Sequence, residues 1–373
     1  MKVFVDATML DGGPSGAATR LLGLGAALRE RGRVELAHLV RPGLAANPLP
    51  GLDVVPFDGM ESPLRRLRSG RRLERMLRAA GADLLNLGAL PVPSVRSLPV
   101  ALTLHDLRFL ERGPGVSLAR RLWAAYRLPA NLAALSAVIA VSETTARGIM
   151  SHGLVEARRV HVVPNAPTPG LQAVGDVDRL ADFRRRLGLN QRYVVSVGPL
   201  DAHKAVGDML AGLAAARELP HGADLALVLV GRTDPERALI VAREARRLGV
   251  EQALAITGTL SDDELSVALA GAEALLLAGR HEGFSIPALD ALALGLPVVA
   301  PEAGALPETC GEAAWLVQPG DARAMAEALV QATRHGAERD RVIAAGRQRA
   351  AQLSWDDAAA RLEQVWQGML DAT

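Results

Sequence analysis

Between His281 and Pro301 the chain reads HEGFSIPALDALALGLPVVAP, and this stretch narrows the fold more than any other. Pro287 suits the first turn of a helix, where a missing N–H costs nothing, and the Ala- and Leu-rich run to Leu294 has strong helix propensity. Gly295 stops that run, and Pro297, Val298, Val299 and Ala300 follow as a short, uniformly apolar strand. A helix feeding a strand that is apolar on both faces belongs to a parallel α/β sheet, because crossover helices cover both sides of such a sheet. Ahead of the helix, the N–H groups of Phe284, Ser285 and Ile286 are expected to lack intrahelical partners and to carry the positive end of the dipole. Such a helix start is an anion site. Glu282 stands before the helix and Asp290 on it, so both carboxylates can border the anion if the helix tip faces a cleft.

The same alternation runs along the rest of the chain. Residues 2–7 read as a strand, Asp11-Gly12-Gly13-Pro14-Ser15-Gly16 as a flexible loop and residues 17–30 as a helix. The loop glycines do not fall at the GxGxxG spacing, so this is no dinucleotide fingerprint, and a plain tight turn and a ligand loop both remain open. Strands are expected at 34–40, 51–55, 83–87, 100–104, 137–142 and 160–165. His105 falls where the strand 100–104 ends, and ligands of open parallel sheets gather at the carboxyl ends of strands. A Pro- and Gly-rich stretch at 164–176 reads as a linker. It separates a domain of residues 1–165 from one of residues 176–350. Beyond it, strands are expected at 193–197, 224–230, 253–257 and 272–277, with helices at 206–217 and 322–333. The loop Gly198-Pro199-Leu200-Asp201-Ala202-His203-Lys204 brings an ammonium group toward the first of these strand ends, which suits a phosphate.

A chain of 373 residues with 49% hydrophobic content is too long for one modest core, which agrees with two α/β domains. Forty-two bases against 41 acids leave a charge of +1, so nothing in the total argues for nucleic acid. Cys310 is the one cysteine, which excludes an internal disulfide and is consistent with a reducing compartment. The chain enters a strand at once, with no signal-peptide pattern, and its apolar runs stop well short of the ~20 residues a membrane span needs. A cytoplasmic protein is therefore expected. The eight histidines are scattered without paired spacing, so no metal site is expected. Lysine occurs only at Lys2 and Lys204. Residues 64–81 form an arginine-dense helix with Arg68, Arg71, Arg72, Arg75 and Arg78 on one side and Leu73, Met76, Leu77 and Ala80 on the other. That pattern is either a solvated surface face or a contact with an anionic membrane.

Glu282-Gly283-Phe284, Pro287, Asp290, Ala291, Gly295, Pro297-Val298-Val299, Pro307-Glu308, Gly311, Ala313-Ala314 and Pro319-Gly320-Asp321 together resemble the signature of the retaining family 4 glycosyltransferases. LTLHDL, VIAVSETT, HVVPNAP and LSWDDAAARLEQVW match the same family in order. The resemblance implies the GT-B fold, an α/β architecture of two Rossmann-like domains facing each other across a cleft, with a terminal helix at 355–373 crossing back to the first. It implies a nucleoside diphosphate sugar as donor, GDP-mannose or a UDP-sugar, a saccharide or lipid-linked acceptor, and neither cofactor nor metal. It further implies that Lys204 and the helix start at Gly283, Phe284, Ser285 and Ile286 hold the diphosphate, and that Glu282 contacts sugar hydroxyls. Asp290 would accept from the ribose diol and His105 would face the sugar. The loops of Gly16 and Gly198 would seat phosphate, and the Leu260 loop would meet the base through its backbone. The chain departs from the family at three places: Asp290 replaces a glutamate, Ser285 a glycine, and Pro199 an arginine that Arg232 or Arg280 would have to replace. Pro199 and Asp290 keep open a catalytically silent subunit, and a GT-B sugar-nucleotide epimerase is a further alternative.

Overall fold

The computed structural model describes residues 1–10, 13–44, 47–60, 62–110, 128–172 and 174–372; Asp11 and Gly12 of the expected glycine loop lie outside them. The chain divides into two compact units, Met1–Ala166 with Leu353–Thr373, and Pro167–Gln352.

Unit 1 opens with β1 (Lys2–Asp6), α1 (Gly16–Arg31), β2 (Glu35–Val40), β3 (Val54–Pro56), α2 (Pro63–Ala79) and β4 (Leu84–Leu87). It continues through β5 (Val100–Leu104), α3 (Leu128–Ala133), β6 (Ala137–Ala140), α4 (Glu143–Ser151) and β7 (Val160–Val162). The strands pair in the order β3-β2-β1-β4-β5-β6-β7, all parallel. Successive side chains alternate between the faces of this sheet. Val3, Val5, Leu84, Ala101 and Ile139 pack with Leu24 and Leu28 of α1, whereas Phe4, Leu85, Leu102 and Val138 pack with Leu73 and Leu77 of α2. Both faces are covered, which is why the strands read as continuous apolar runs. Ser15 starts α1, its Oγ accepting from the Ala18 amide at 3.2 Å, and Gly32 ends it at φ +65°. The expected strand at 51–55 lies later, at Val54–Pro56. Gly51 takes φ +79°, so the chain is still turning there, and an edge strand tolerates the closing proline.

Unit 2 comprises α5 (Val177–Arg186), β8 (Arg192–Val197), α6 (Val206–Arg217), β9 (Leu225–Val230), α7 (Pro235–Arg247), β10 (Leu254–Gly258) and α8 (Asp262–Ala270). There follow β11 (Leu275–Leu276), α9 (Ile286–Leu294), β12 (Val298–Pro301), α10 (Leu306–Cys310), β13 (Trp315–Val317), α11 (Ala322–Thr333) and α12 (Ala337–Ala351). Its parallel order is β10-β9-β8-β11-β12-β13. The chain winds outward from β8 to β10, then returns to β11 and winds the other way. Strand order reverses between β8 and β11, where ligands of such sheets bind. The strand expected at 272–277 is only Leu275–Leu276, because the Ala272 amide is still bonded to Leu269 at the end of α8. Gly295 stops α9 as its composition suggests, at φ +75° with its amide on the carbonyls of Ala291 and Leu292.

The chain then returns to unit 1 as α13 (Trp355–Asp371). Ala358, Leu362, Trp366 and Met369 complete the α1 face of the first sheet. Trp366 Nε1 donates to Asn86 Oδ1 at 3.2 Å, and Arg31 pairs with Asp356 at 2.9 Å and Glu363 at 3.1 Å. Contact with α1 is so close that a Cβ on Gly23 would lie 2.3 Å from the Trp355 ring.

Candidate functional site

Most of the predicted residues gather at the switch point of unit 2. Gly198 follows β8 at φ +144°, and a Cβ there would lie 3.1 Å from Lys204 Cε. Glycine thus lets the lysine stem lie back over the strand end. Lys204 closes a single 3-10 turn, and Ala205, in the left-handed region at φ +51°, leads into α6. The ammonium Nζ lies 2.6 Å from Glu282 Oε1, with the two side chains 16% and 12% exposed. This opposed pair is largely withdrawn from water, and each charge is the other's compensation. The Glu282 backbone is fixed as well. Its carbonyl accepts from the Ala305 amide at 2.8 Å, and a Cβ on Gly304 would lie 2.6 Å from that oxygen.

Ser285 begins α9 at φ +71° and makes no side-chain cap. A glycine would take this conformation without strain, whereas serine holds it at a cost of about 1 kcal/mol or more. Phe284 and Ile286 are buried on either side, and the Phe284 carbonyl accepts from Thr309 Oγ1. The helix start therefore keeps its dipole end uncapped by side chains, as an anion site requires. Arg280, a candidate for the cation missing at Pro199, lies 3.4 Å from Asp208. Arg232 sits on the loop after β9, where its carbonyl accepts from the Leu200 amide. Leu260 follows β10, two strands from β8, or about 10 Å at ordinary strand spacing.

Asp290, expected to receive a ribose diol, already has a partner on each of its oxygens. Oδ1 accepts from the Thr168 amide at 2.7 Å and Oδ2 from Thr168 Oγ1 at 2.6 Å, and the residue is 4% exposed. A buried carboxylate must find donors, and the linker supplies both. Burial, with a smaller contribution from the Asp262 charge, raises its pKa to about 6 against the opposing effect of the two Thr168 bonds.

His105 and Gly16 lie in unit 1. Gly16 is not a loop residue but the first residue of α1, because Ser15 takes the cap position. His105 follows β5, its ring partly exposed. Even so, surrounding protein and, to a lesser extent, the Arg20 charge lower its pKa to about 4 against a smaller opposing effect of Asp106. The imidazole is thus neutral near pH 7. Arg20 is a residue that the sequence reading missed. It is buried, and one amino group donates to Val163 O at 3.0 Å, Pro164 O at 3.3 Å and Asn165 Oδ1 at 2.6 Å. Arg20, Trp366 and His105 border a cavity of about 30 Å³, room for a single water. Arg66, also missed, is buried against Asp6 at 2.5 Å. Both positions could have been found on a helical wheel: Arg20 shares a face with Leu24 and Leu28, and Arg66 with Leu73 and Leu77.

On the outer face of α2, Arg68, Arg71, Arg75 and Arg78 are exposed, together with Leu64 at 57% and Leu67 at 38%. Arg72 is engaged, its guanidinium 4.9 Å from the Phe57 ring centroid and 3.6 Å from Asp58. Among the described residues no cluster of three His, Cys, Asp or Glu side chains could hold a metal ion.

Two doubly wound parallel sheets, one with a lysine–carboxylate pair and an uncapped helix start at its switch point, define an α/β protein of two Rossmann-like units. Residues 14–167 match the family described as Glycosyltransferase Family 4, and residues 191–335 that described as Glycosyl transferases group 1. The chain belongs to these family 4, group 1 glycosyltransferases, and its fold is GT-B. It is 31% identical over 235 residues to the MMP alpha-(1->4)-mannosyltransferase of Mycolicibacterium hassiacum, covering 62% of this chain and 53% of that one. It is 30% identical over 209 residues to the D-inositol 3-phosphate glycosyltransferase of Corynebacterium aurimucosum, covering 53% and 48%. The chain thus spans about half the length of these relatives. Among solved structures, sucrose-phosphate synthase from Thermosynechococcus elongatus superposes over 100% of both chains with a TM-score of 0.79 at 19% identity. Anabaena HepE in complex with UDP-glucose does so over 100% of both chains with a TM-score of 0.76 at 19% identity.

Proposed function

We propose that the protein transfers a hexose from a nucleoside diphosphate sugar to a saccharide or lipid-linked acceptor, with retention of anomeric configuration and without a metal. The observation that carries this reading is the Lys204–Glu282 pair, 2.6 Å apart, at the switch point of unit 2. Negative charge grows on the leaving diphosphate as the glycosidic bond breaks. Lys204 and the amides at the start of α9 are donors already in place for it, and prearranged donors lower the barrier more than any other single device. Glu282, released from part of its hold on the lysine, would accept from sugar hydroxyls. A neutral His105 would exchange a hydrogen bond with the sugar rather than present a charge. The acceptor hydroxyl would attack the anomeric carbon on the departing face, its proton passing to a donor phosphate oxygen. A mannosyl donor is supported by the named activity of the Mycolicibacterium relative, and a UDP-sugar by the ligand of HepE.

A lipid-linked acceptor would bring α2 into play, its exposed Leu64 and Leu67 entering the headgroup region while Arg68, Arg71, Arg75 and Arg78 meet anionic lipid. No helix among the described residues is long and apolar enough to cross a membrane, and this reading places the chain in the cytoplasm or against its membrane. A silent binding subunit is the second reading, favoured by the engagement of Asp290 with Thr168. Hydrolysis and transfer assays with UDP-, GDP- and ADP-sugars decide between them. Turnover of one donor, enhanced by an acceptor, supports the transferase. An epimerised sugar nucleotide formed without acceptor identifies an epimerase, and the absence of both turnover and nucleotide binding leaves the silent subunit.

A further inference from the structure

Asp290 is held by one residue through two donors. The Thr168 amide meets Oδ1 at 2.7 Å and its hydroxyl meets Oδ2 at 2.6 Å, so each carboxylate oxygen has one short, charge-assisted bond. A ribose cis-diol offers the same thing: two adjacent donors, one for each oxygen. Lone pairs alone would let a carboxylate serve both partners, but space does not, since with Thr168 in place Asp290 is 4% exposed.

The segment that carries Thr168 is built to present it. Pro167 and Pro169 flank it, so Thr168 supplies the only amide hydrogen of the three residues, and that hydrogen is committed to Asp290. The following proline also restricts Thr168 to extended backbone, which reduces the entropy lost in holding the contact. Outward of Thr168 the chain is open. Pro169 and Gly170 are exposed, Gly170 takes φ +76°, and Leu171 closes a local turn onto the Thr168 carbonyl at 3.2 Å. Pro167 and Thr168 are half-buried, and none of the three residues belongs to the buried core.

We propose that Thr168 occupies the ribose-diol position of the donor site, so that a nucleotide binds only after the Pro167–Pro169 segment leaves Asp290. This rests on the donor-site reading above and adds a competitor to it. Thr168 sets the affinity of the site, because the measured dissociation constant is the intrinsic one divided by the fraction of molecules with Asp290 released.

The test is calorimetric titration of UDP, GDP and ADP into wild type, Thr168→Val and Thr168→Ser. Valine deletes one of the two donors, so the nucleotide that binds wild type should bind Thr168→Val roughly tenfold tighter, the equivalent of one hydrogen bond to a charged group. Thr168→Ser keeps the hydroxyl and should match wild type. The gain should vanish for the 2′,3′-dideoxy nucleotide, which has no diol to exchange for Thr168. Hydrogen exchange gives a second readout: the Thr168 amide should be protected in the free protein and lose protection when nucleotide is added. Equal or weaker binding by Thr168→Val, or unchanged protection, overturns the proposal while leaving the donor site standing. Failure of all three proteins to bind any of the nucleotides overturns the donor-site reading and this proposal together.

Discussion

Replacing Lys204 with methionine removes the cation while keeping a stem that can lie along Gly198, and it separates two roles the residue could have. Ion pairs in open water contribute below about 1 kcal/mol, whereas breaking a buried one costs about 3–5 kcal/mol because a charge is left uncompensated. At 16% and 12% exposure the Lys204–Glu282 pair lies near the buried limit, so Lys204→Met should cost unit 2 about 2–4 kcal/mol of stability. Glu282→Gln should cost a similar amount for the mirror-image reason. The double variant leaves no buried charge and should recover all but about 1 kcal/mol, a coupling energy of about 3–7 kcal/mol in the cycle. Turnover should behave differently. Each single change should lose about 2–4 kcal/mol of transition-state stabilisation, roughly 30- to 1000-fold in rate, and the double change should lose at least as much. Urea unfolding followed by intrinsic fluorescence gives the first set of numbers, and initial rates at saturating donor give the second. If the double variant regains turnover along with stability, or if Lys204→Met alone stays within threefold of wild type, the pair is only a structural tie and the mechanism above is wrong.

Acid titration offers a test with two opposed slopes. His105 is lowered from 6.5 to about 4, so the unfolded chain binds the extra proton first and stability falls as pH drops from 6.5 toward 4. Asp290 is raised from 3.8 to about 6, so the folded chain binds first and stability rises as pH drops from 6 toward 3.8. Urea midpoints against pH should therefore show a steeper acid loss in Asp290→Asn and a shallower one in His105→Gln; identical profiles for all three proteins would contradict both assignments. Gly23→Ala places a methyl where the Trp355 ring stands, 2.3 Å away, and should lower stability by about 1–3 kcal/mol through forced repacking, which thermal melting would detect. Changing Arg68, Arg71, Arg75 and Arg78 to glutamate should abolish salt-sensitive binding to anionic vesicles, and equally weak flotation of both proteins with neutral and anionic vesicles would assign this face to solvent alone.

How much of this could be read from sequence depended on how far apart the interacting residues stand. The limits of β5, α6 and α11 come out as expected, since apolar runs, glycines and caps are local signals. So does the unit of α9 and β12, where Gly295 and Pro297 mark the joint. Elements that depend on neighbours were less legible: β3 starts three residues late because Gly51 is turning, and β11 is cut short by the end of α8. Pairings across the chain were not legible. Lys204 and Glu282 are separated by 78 positions and Thr168 and Asp290 by 122; in the first case both residues were visible and their contact was not, and in the second Thr168 was only one residue of the Pro- and Gly-rich linker. Arg20 and Arg66 form a third kind of case. They occupy core-facing helical positions, and extending the wheel of α2 back to Arg66 would have set it with Leu73 and Leu77.

The return of α13 to the first sheet has a consequence for how the protein is made. During synthesis the whole of Pro167–Gln352 follows Ala166 before Trp366 exists, so one face of the first sheet waits with only α1 upon it while the later unit can already close. N-terminal domains ordinarily complete first on the ribosome; here that order is reversed by the path of the chain. The family matches end at residues 167 and 335, and a fragment cut at either point would lack the tryptophan that bonds Asn86 and the helix that shields Val3, Leu84 and Ile139. Such a fragment would present a broad apolar surface to other nascent chains. Residues 353–371, which supply Trp366 beside His105, thus complete the core of the unit that bears His105.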